Sequence, residues 1–211
     1  AERTMNNKLA FILSELLERQ NLLVCLSFYN EPYSADYKQL KLKERHADIA
    51  ITLNCRVHSN EATYKRGNNV DVYINRSNAG DSREFADKVV EYMSDKYKNE
   101  KCVVKHASHK ITDCNKTGVN SSIVIQQSYL LSEVSDLKNI NTDYLESKAE
   151  CIAKALCDFL HQEYINNIEE YCALKDVAVR SYPSSRYTPI GVLKKNEKCI
   201  ICSKYKNWGF I

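Results

Sequence analysis

The residue types that could support thiol or metal chemistry are scattered along this 211-residue chain. Its one Cys-x-x-Cys pair is Cys199 and Cys202, and a zinc ion would need two further ligands that the neighbouring sequence does not offer. The apolar residues around the pair favour a strand, in which successive side chains point to opposite faces. We therefore interpret the pair as part of a structural strand, with a metal site as the alternative.

Two of the five histidines, His106 and His109, stand three residues apart. On a helical turn they would share one face and could form a small metal site. Lys105 and Lys110 adjoin them and disfavour a bound cation, so a surface position is the alternative. The chain shows no Ser-His-Asp order and no cysteine-nucleophile motif, and its five glycines leave little room for a phosphate-binding loop.

Composition places the chain among ordinary globular proteins. Hydrophobic residues make up 44% and charged residues 27%, and the few glycines and prolines exclude collagen-like and Pro/Gly-rich disordered chains. No apolar run approaches the roughly 18 residues that cross a bilayer, and no signal-peptide pattern is visible. The nine cysteines form no even-numbered framework, so we expect free thiols and a reducing or anaerobic setting. Cys25 and Cys55 lie in apolar runs and are predicted core residues.

Charge is unevenly distributed along the chain. The net charge is +3 at pH 7, but residues 174–211 hold eight basic and two acidic residues and so carry +6. Residues 1–173 therefore carry −3. A basic segment beside a mildly acidic body indicates a separate module with a polyanionic partner, such as a cell-wall polymer or nucleic acid. A solvated basic face is the alternative.

Hydrophobic periodicity predicts helices that alternate with strands. This order predicts an α/β fold with a largely parallel sheet flanked by helices, over residues 1–173. From residue 174 the pattern changes to short strands separated by turns, which predicts a second, small β-barrel-like domain over residues 174–211. Helices are predicted at residues 4–19, 81–98 and 143–165, strands at 22–28, 48–54, 70–75 and 122–126, a loop or partly helical segment at 29–46, and a polar loop at 58–69.

Four motifs follow one another in a fixed order in the first domain. They read ADIAITLNC at 47–55, NVDVYI at 69–74, SREFA at 82–86 and SIVIQQSYL at 122–130. The ordered set resembles the zinc-dependent N-acetylmuramoyl-L-alanine amidases of bacterial cell-wall turnover. That family reads AD-hydrophobics-SIHAN, then GVEVYY, then SKxLA, then P-hydrophobics-VEIGFLSN, and closes with a helix. The resemblance covers about residues 2–165.

The resemblance also implies where the active site would lie. In the family a His, a Glu and a second His hold zinc, and another Glu acts as general base on the zinc-bound water. The first His belongs upstream of the first helix and has no counterpart in this chain. The Glu ligand maps to Glu2, the second His to Asn54 and the general base to Gln126. Asn is a poor zinc ligand and Gln cannot accept a proton.

Two of these positions have alternative interpretations. Glu2 stands in the first turn of the predicted helix, where a carboxylate also favours the helix dipole. His58 lies four residues past Asn54 and is a candidate substitute ligand, with a surface loop histidine as the alternative. Zinc is expected for the family, but Asn54 and Gln126 argue against a complete zinc site here.

The C-terminal segment carries a second resemblance. DVAVRSYPSSRYTPIGVLKKN at 176–196 is similar to the LNVRSGPSTSYxVIGTLKKG pattern of the bacterial Src-homology-3-like cell-wall module. Lys206-Asn207-Trp208 matches the NGW turn of that module. The final strands of the small barrel have no counterpart, so a partial cell-wall-binding module is expected at residues 174–211.

Together the resemblances imply a relative of peptidoglycan amide-bond hydrolases that is catalytically impaired and acts in cell-wall binding. The expected partners are peptidoglycan or a muropeptide, or a partner amidase, and nucleic acid is not expected because only charge supports it. The expected location is the cell wall or the extracellular space of an anaerobic bacterium. Two alternatives stay open, an active zinc amidase seen as a fragment and a non-catalytic interaction module for an anionic polymer or partner protein.

Overall fold

The computed structural model of the chain shows two compact units. The first contains Ala1–Leu16 and Cys25–Glu163, and the second contains Leu17–Val24 and Tyr164–Ile211. No helix in the described part of the chain combines the length and the apolar character that a membrane crossing requires. The structure describes residues 2–27, 42–58, 69–76, 80–108, 112–130, 142–166, 170–201, 203–205 and 207–211.

Among the described residues, a four-stranded sheet forms the centre of the first unit. Its strands are β1 (Ile49–His58), β2 (Asn69–Ile74), β3 (Lys101–His106) and β4 (Ser121–Leu130), in the order β1-β4-β2-β3. The pairs β1–β4 and β2–β3 are parallel, whereas β2 and β4 run antiparallel. The predicted α/β fold with a largely parallel sheet is thereby confirmed.

The helices with complete bounds are α1 (Glu2–Arg19), α2 (Gly80–Lys96), the short α3 (Cys114–Thr117) and α4 (Thr142–Phe159). Residues 42–44 are also helical, near the end of the predicted loop or partly helical segment at 29–46, most of which lies outside the described residues. Helices α2 and α4 pack together, and the rings of Phe85 and Phe159 stack with centroids 5.3 Å apart. The buried residues Phe85, Val89 and Met93 recur at helical spacing along α2, as the periodicity predicts.

Helix α4 ends six residues earlier than the predicted boundary at residue 165. The N–H of Gln162 donates to the carbonyl of Cys157, and that of His161 donates to the carbonyl of Asp158. This is a Schellman termination with His161 in the left-handed region at φ 54°. Apolar residues continue past the helix, so periodicity alone predicts too long an element.

The predicted strand at residues 22–28 does not form over its described part, residues 22–27, and the predicted core position of Cys25 is also wrong. Residues 22–27 carry no regular secondary structure, Leu23 is 97% exposed and Cys25 is exposed, so Cys25 is not a core residue. A strand needs a neighbour to complete its backbone hydrogen bonds, and an apolar run does not supply one. Cys55 is buried, as predicted.

The edge strand β3 was not anticipated, because lysines flank its short apolar centre. Such residues are typical of edge strands, where they limit strand addition by other chains. His106 is the last residue of β3, so it does not lie on a helical turn with His109, which is outside the described residues.

Short antiparallel pairs make up the C-terminal part of the second unit. They are β5 (Glu170–Cys172) with β8 (Lys198–Ile200), β6 (Val177–Arg180) with β7 (Pro189–Leu193), and β9 (Ser203–Tyr205) with β10 (Trp208–Phe210). Among the described residues these pairs do not close into a barrel, so the barrel-like form is not confirmed. Cys199 lies on β8 as interpreted, and Cys202 is outside the described residues.

Candidate functional site

Three polar side chains stand in one row across the central sheet. Asn54 of β1 is the register partner of Gln126 of β4, and Gln126 is in turn the partner of Asp71 of β2. Register partners project from the same face of a sheet, so the three residues form a row, here called the polar row. Asn54 is exposed at one end, whereas Gln126 is 8% exposed and Asp71 only 3%.

The two amides of the polar row bind each other. The Asn54 Nδ2 donates to the Gln126 Oε1 across 3.3 Å. This bond uses one of the two lone pairs of the Gln126 Oε1 and does not involve the carbonyl oxygen of the exposed Asn54 side chain. The centre of the row is therefore a neutral amide pair that can donate and accept hydrogen bonds but cannot take up a proton.

Asp71 forms the charged end of the polar row. Its Oδ2 accepts hydrogen bonds from Lys105 Nζ at 2.7 Å and from the Tyr73 hydroxyl at 3.3 Å. Its buried Oδ1 has no hydrogen-bond partner among the described residues. The Lys105 ammonium balances the buried carboxylate, which would otherwise carry a large desolvation cost.

The donors of the polar row do not fit a zinc ion. Zinc in proteins is held by thiolate, imidazole or carboxylate groups, whereas Asn54 and Gln126 supply neutral amides that already bind each other. Asp71 is paired with an ammonium 2.7 Å away, which competes with any cation. Within the described ranges, no group of three or more His, Cys, Asp or Glu residues gathers anywhere.

The remaining candidate ligands stand at the ends of elements. Glu2 is the first residue of α1 and is exposed, a position where its charge favours the helix dipole. His58 is the last residue of β1 and the register partner of Leu130, and its side chain lies outside the described residues. Their assignment as zinc ligands stays a prediction.

Sequence reasoning missed Asp71 and Lys105. An acidic residue between Val70 and Val72 in an apolar strand was a usable signal, because a buried carboxylate needs a partner. The partner could not be named from sequence, since Lys105 lies on β3, which was not predicted.

A second polar cluster lies where α2, α4 and β3 approach one another. Lys148 of α4 is 1% exposed and pairs with Glu100, which also accepts a hydrogen bond from the Tyr144 hydroxyl at 2.7 Å. The Lys148 Nζ lies 3.7 Å from the ring centroid of Tyr97. Burial lowers the pKa of Lys148, and burial raises the pKa of Tyr97 to about 12. Lys148, Tyr144 and Glu100 bind one another, whereas the buried Tyr97 hydroxyl has no hydrogen-bond partner among the described residues. The pairing of the buried Lys148 with Glu100 indicates a structural role for the cluster.

A family model described as N-acetylmuramoyl-L-alanine amidase matches residues 1–158. The chain belongs to this amidase family. Its function is therefore amidase-like. The family acts on peptidoglycan, and its members are typically extracellular or associated with the cell wall. No curated protein sequence matches the chain.

Solved amidase structures share the fold of most of this chain. The catalytic domain of CwlV, an amidase from Bacillus (Paenibacillus) polymyxa var. colistinus, has a TM-score of 0.60 at 14% identity, covering 77% of this chain and 87% of that one. An amidase from Clostridium difficile 630 has a TM-score of 0.59 at 19% identity, with coverages of 77% and 86%. The CwlD amidase of Clostridioides difficile, solved with the GerS lipoprotein, has a TM-score of 0.51 at 14% identity, with coverages of 76% and 86%.

Proposed function

We propose that this amidase-family chain binds peptidoglycan without cleaving it. The observation that carries the proposal is the hydrogen bond between Asn54 and Gln126. These residues stand where the family resemblance puts the second zinc ligand and the general base, so two catalytic functions are replaced by one amide pair.

The loss of catalysis follows from the chemistry of these side chains. A general base contributes about 10²–10⁴-fold to such a reaction, and the Gln126 amide cannot accept a proton. Asn54 is a poor zinc ligand, so the metal-bound water of the family has no support at this position. Both effects act on the same step, and either alone would slow hydrolysis severely.

The same residues suit the binding of an uncleaved amide. The stem peptides and acetamido groups of peptidoglycan are rich in amide N–H and C=O groups. The exposed amide of Asn54 can donate to a carbonyl and accept from an N–H, while Gln126 holds its orientation. The polar row would thus position a ligand whose scissile bond stays intact.

Residues 174–211 contribute to the same proposal as a wall-binding segment. Their resemblance to the Src-homology-3-like module and their net charge of +6 support it. A partner amidase as a further ligand stays a prediction.

The test uses the full chain, purified peptidoglycan sacculi and dye-labelled sacculi. We expect the chain to sediment with sacculi and to release no dye above a heat-inactivated control. Asn54→Leu should raise the apparent dissociation constant for sacculi about tenfold, because one side-chain contact is lost. Thr52→Val, two residues earlier on β1, is the matched control and should bind like the unaltered chain.

Three results would overturn the proposal. Steady dye release by the unaltered chain would establish an active amidase. About one zinc per chain, measured by elemental analysis after dialysis without chelator, would show that other ligands complete the metal site. Failure to sediment with sacculi would remove the binding function itself.

A further inference from the structure

Two tyrosine rings lie against each other on the surface of the second unit. Tyr182 is 60% exposed and Tyr187 is 49% exposed, and their ring centroids are 4.9 Å apart with planes inclined by 34°. Each ring therefore keeps a large part of its area in water. Exposed aromatic surface of this kind is typical of binding sites rather than of solvated loops.

Hydrogen bonds order the backbone of the segment that carries the two rings. The N–H of Ser184 donates to the carbonyl of Tyr182 at 2.7 Å, and the guanidinium of Arg180 donates to the carbonyl of Tyr187. The N–H of Arg186 donates to the Ser184 hydroxyl at 3.3 Å. A preformed surface loses less conformational entropy when it binds.

Positive charge adjoins the rings and is not neutralised within the segment. Asp176 binds Lys194 Nζ at 3.0 Å and the N–H of Lys195 at 2.9 Å, and Glu197 accepts the N–H of Lys194. These are the two acidic residues of residues 174–211. Both are engaged at the turn after β7, so neither is paired with an arginine there.

We propose that Tyr182 and Tyr187, with Arg180 and Arg186 beside them, form a binding surface for the glycan strand of peptidoglycan. This inference rests on the proposed function and names the ligand chemistry of the second unit. The apolar C–H face of a sugar ring stacks on an exposed aromatic ring. Guanidinium groups pair with the carboxylates that the stem peptides carry. The surface thus recognises sugar rings and their acidic substituents together.

The test measures dissociation constants of the full chain for soluble muropeptides and for an uncharged N-acetylglucosamine oligomer. Tyr182→Ala and Tyr187→Ala should each weaken binding of both ligands about tenfold, whereas the two Phe variants should stay within about twofold. Arg186→Gln should weaken muropeptide binding about threefold to tenfold and leave the uncharged oligomer unaffected. Lys175→Gln removes an equal charge from the same segment and should have little effect.

Three outcomes would overturn the inference. Alanine variants that bind both ligands like the unaltered chain would exclude the rings. If Arg186→Gln and Lys175→Gln weaken muropeptide binding equally, the effect comes from the net charge of the segment and not from the position of Arg186. Tighter binding of single-stranded DNA than of muropeptides would assign the surface to nucleic acid. Circular dichroism confirms that each variant is folded.

The same variants separate this inference from the proposed function. If all tyrosine variants sediment with sacculi like the unaltered chain while Asn54→Leu does not, the tyrosine surface is wrong and peptidoglycan binding stands. If the unaltered chain binds neither sacculi nor soluble fragments, both fail.

Discussion

Valine and isoleucine side chains have opposite environments in the two units of this chain. In the first unit Val72 and Ile125 are fully buried within the sheet. In the second unit Val192 is 50% exposed and Ile190 is 70% exposed on a two-stranded pair. The first unit has a helix layer and four strands to cover its apolar side chains, whereas a two-stranded pair is marginally stable alone. Stability therefore resides in the first unit, and the second offers apolar and aromatic surface for contacts.

The largest effect should follow from a core substitution in the first unit. Phe85→Ala removes a fully buried ring that stacks on Phe159, which should cost about 3–5 kcal/mol of unfolding free energy. Val192→Ala in β7 should cost less than about 0.5 kcal/mol. Urea unfolding followed at 222 nm reports the helices, and the fluorescence of Trp208, the single tryptophan, reports the second unit. Equal losses for both variants would contradict the comparison.

Breaking an ion pair should also destabilise the first unit more than the second, by a slightly smaller margin than the core substitutions. Lys148→Met leaves Glu100 without its buried partner and should destabilise the chain by about 3 kcal/mol. Lys194→Met breaks a pair with Asp176 whose side chains are 69% and 55% exposed, and should change the free energy of unfolding far less than Lys148→Met does. The double variant Lys148→Met with Glu100→Gln should recover most of the loss. No recovery would mean that Lys148 acts through packing rather than charge.

Alkaline titration probes the interior of the first unit. Tyr97 has a pKa raised to about 12 by burial, against about 10 in an unfolded chain. Because the raised pKa keeps the phenol protonated in the folded state, its contribution to stability is present below about pH 10 and lost as pH rises towards 12. Absorbance at 295 nm should show a late-titrating phenol signal that Tyr97→Phe reduces by one tyrosine. Loss of an early-titrating phenol in that variant would refute the assignment.

Thiol labelling should distinguish exposed and buried cysteines without changing stability. Cys25 and Cys172 are exposed, whereas Cys55, Cys151 and Cys157 are buried. Burial raises the pKa of Cys151 and Cys157, which lowers their thiolate fraction further. Mass spectrometry after brief native labelling should find Cys25 and Cys172 modified first. Early labelling of Cys157 would show that the first unit opens readily.

Sequence patterns predicted elements with a strong local signal and missed those set by distant partners. The apolar faces of α2 and α4 repeat at helical spacing, so both helices were predicted. The end of α4 depends on His161 in a left-handed conformation, which few side chains favour and no periodicity indicates. Strand β3 was missed because the lysines at its ends, which are typical of an edge strand, interrupt the apolar pattern. Residues 22–27 form an apolar run, but they have no neighbouring strand to complete their backbone hydrogen bonds.

The candidate site shows the same division. The positions of Asn54 and Gln126 came from an ordered set of motifs, and their contact follows from the register of β1 and β4. Asp71 joins the row only because β2 runs antiparallel to β4, a pairing between segments more than fifty residues apart that sequence spacing does not reveal.

The amide pair of Asn54 and Gln126 also determines how this part of the surface responds to its surroundings. Neither side chain gains or loses a proton between mildly acidic and alkaline conditions, and neither attracts counterions. A histidine and a glutamate in their places would change charge as the surroundings acidify. A hydrogen bond from a ligand to either amide would therefore not depend on the protonation state of these two side chains.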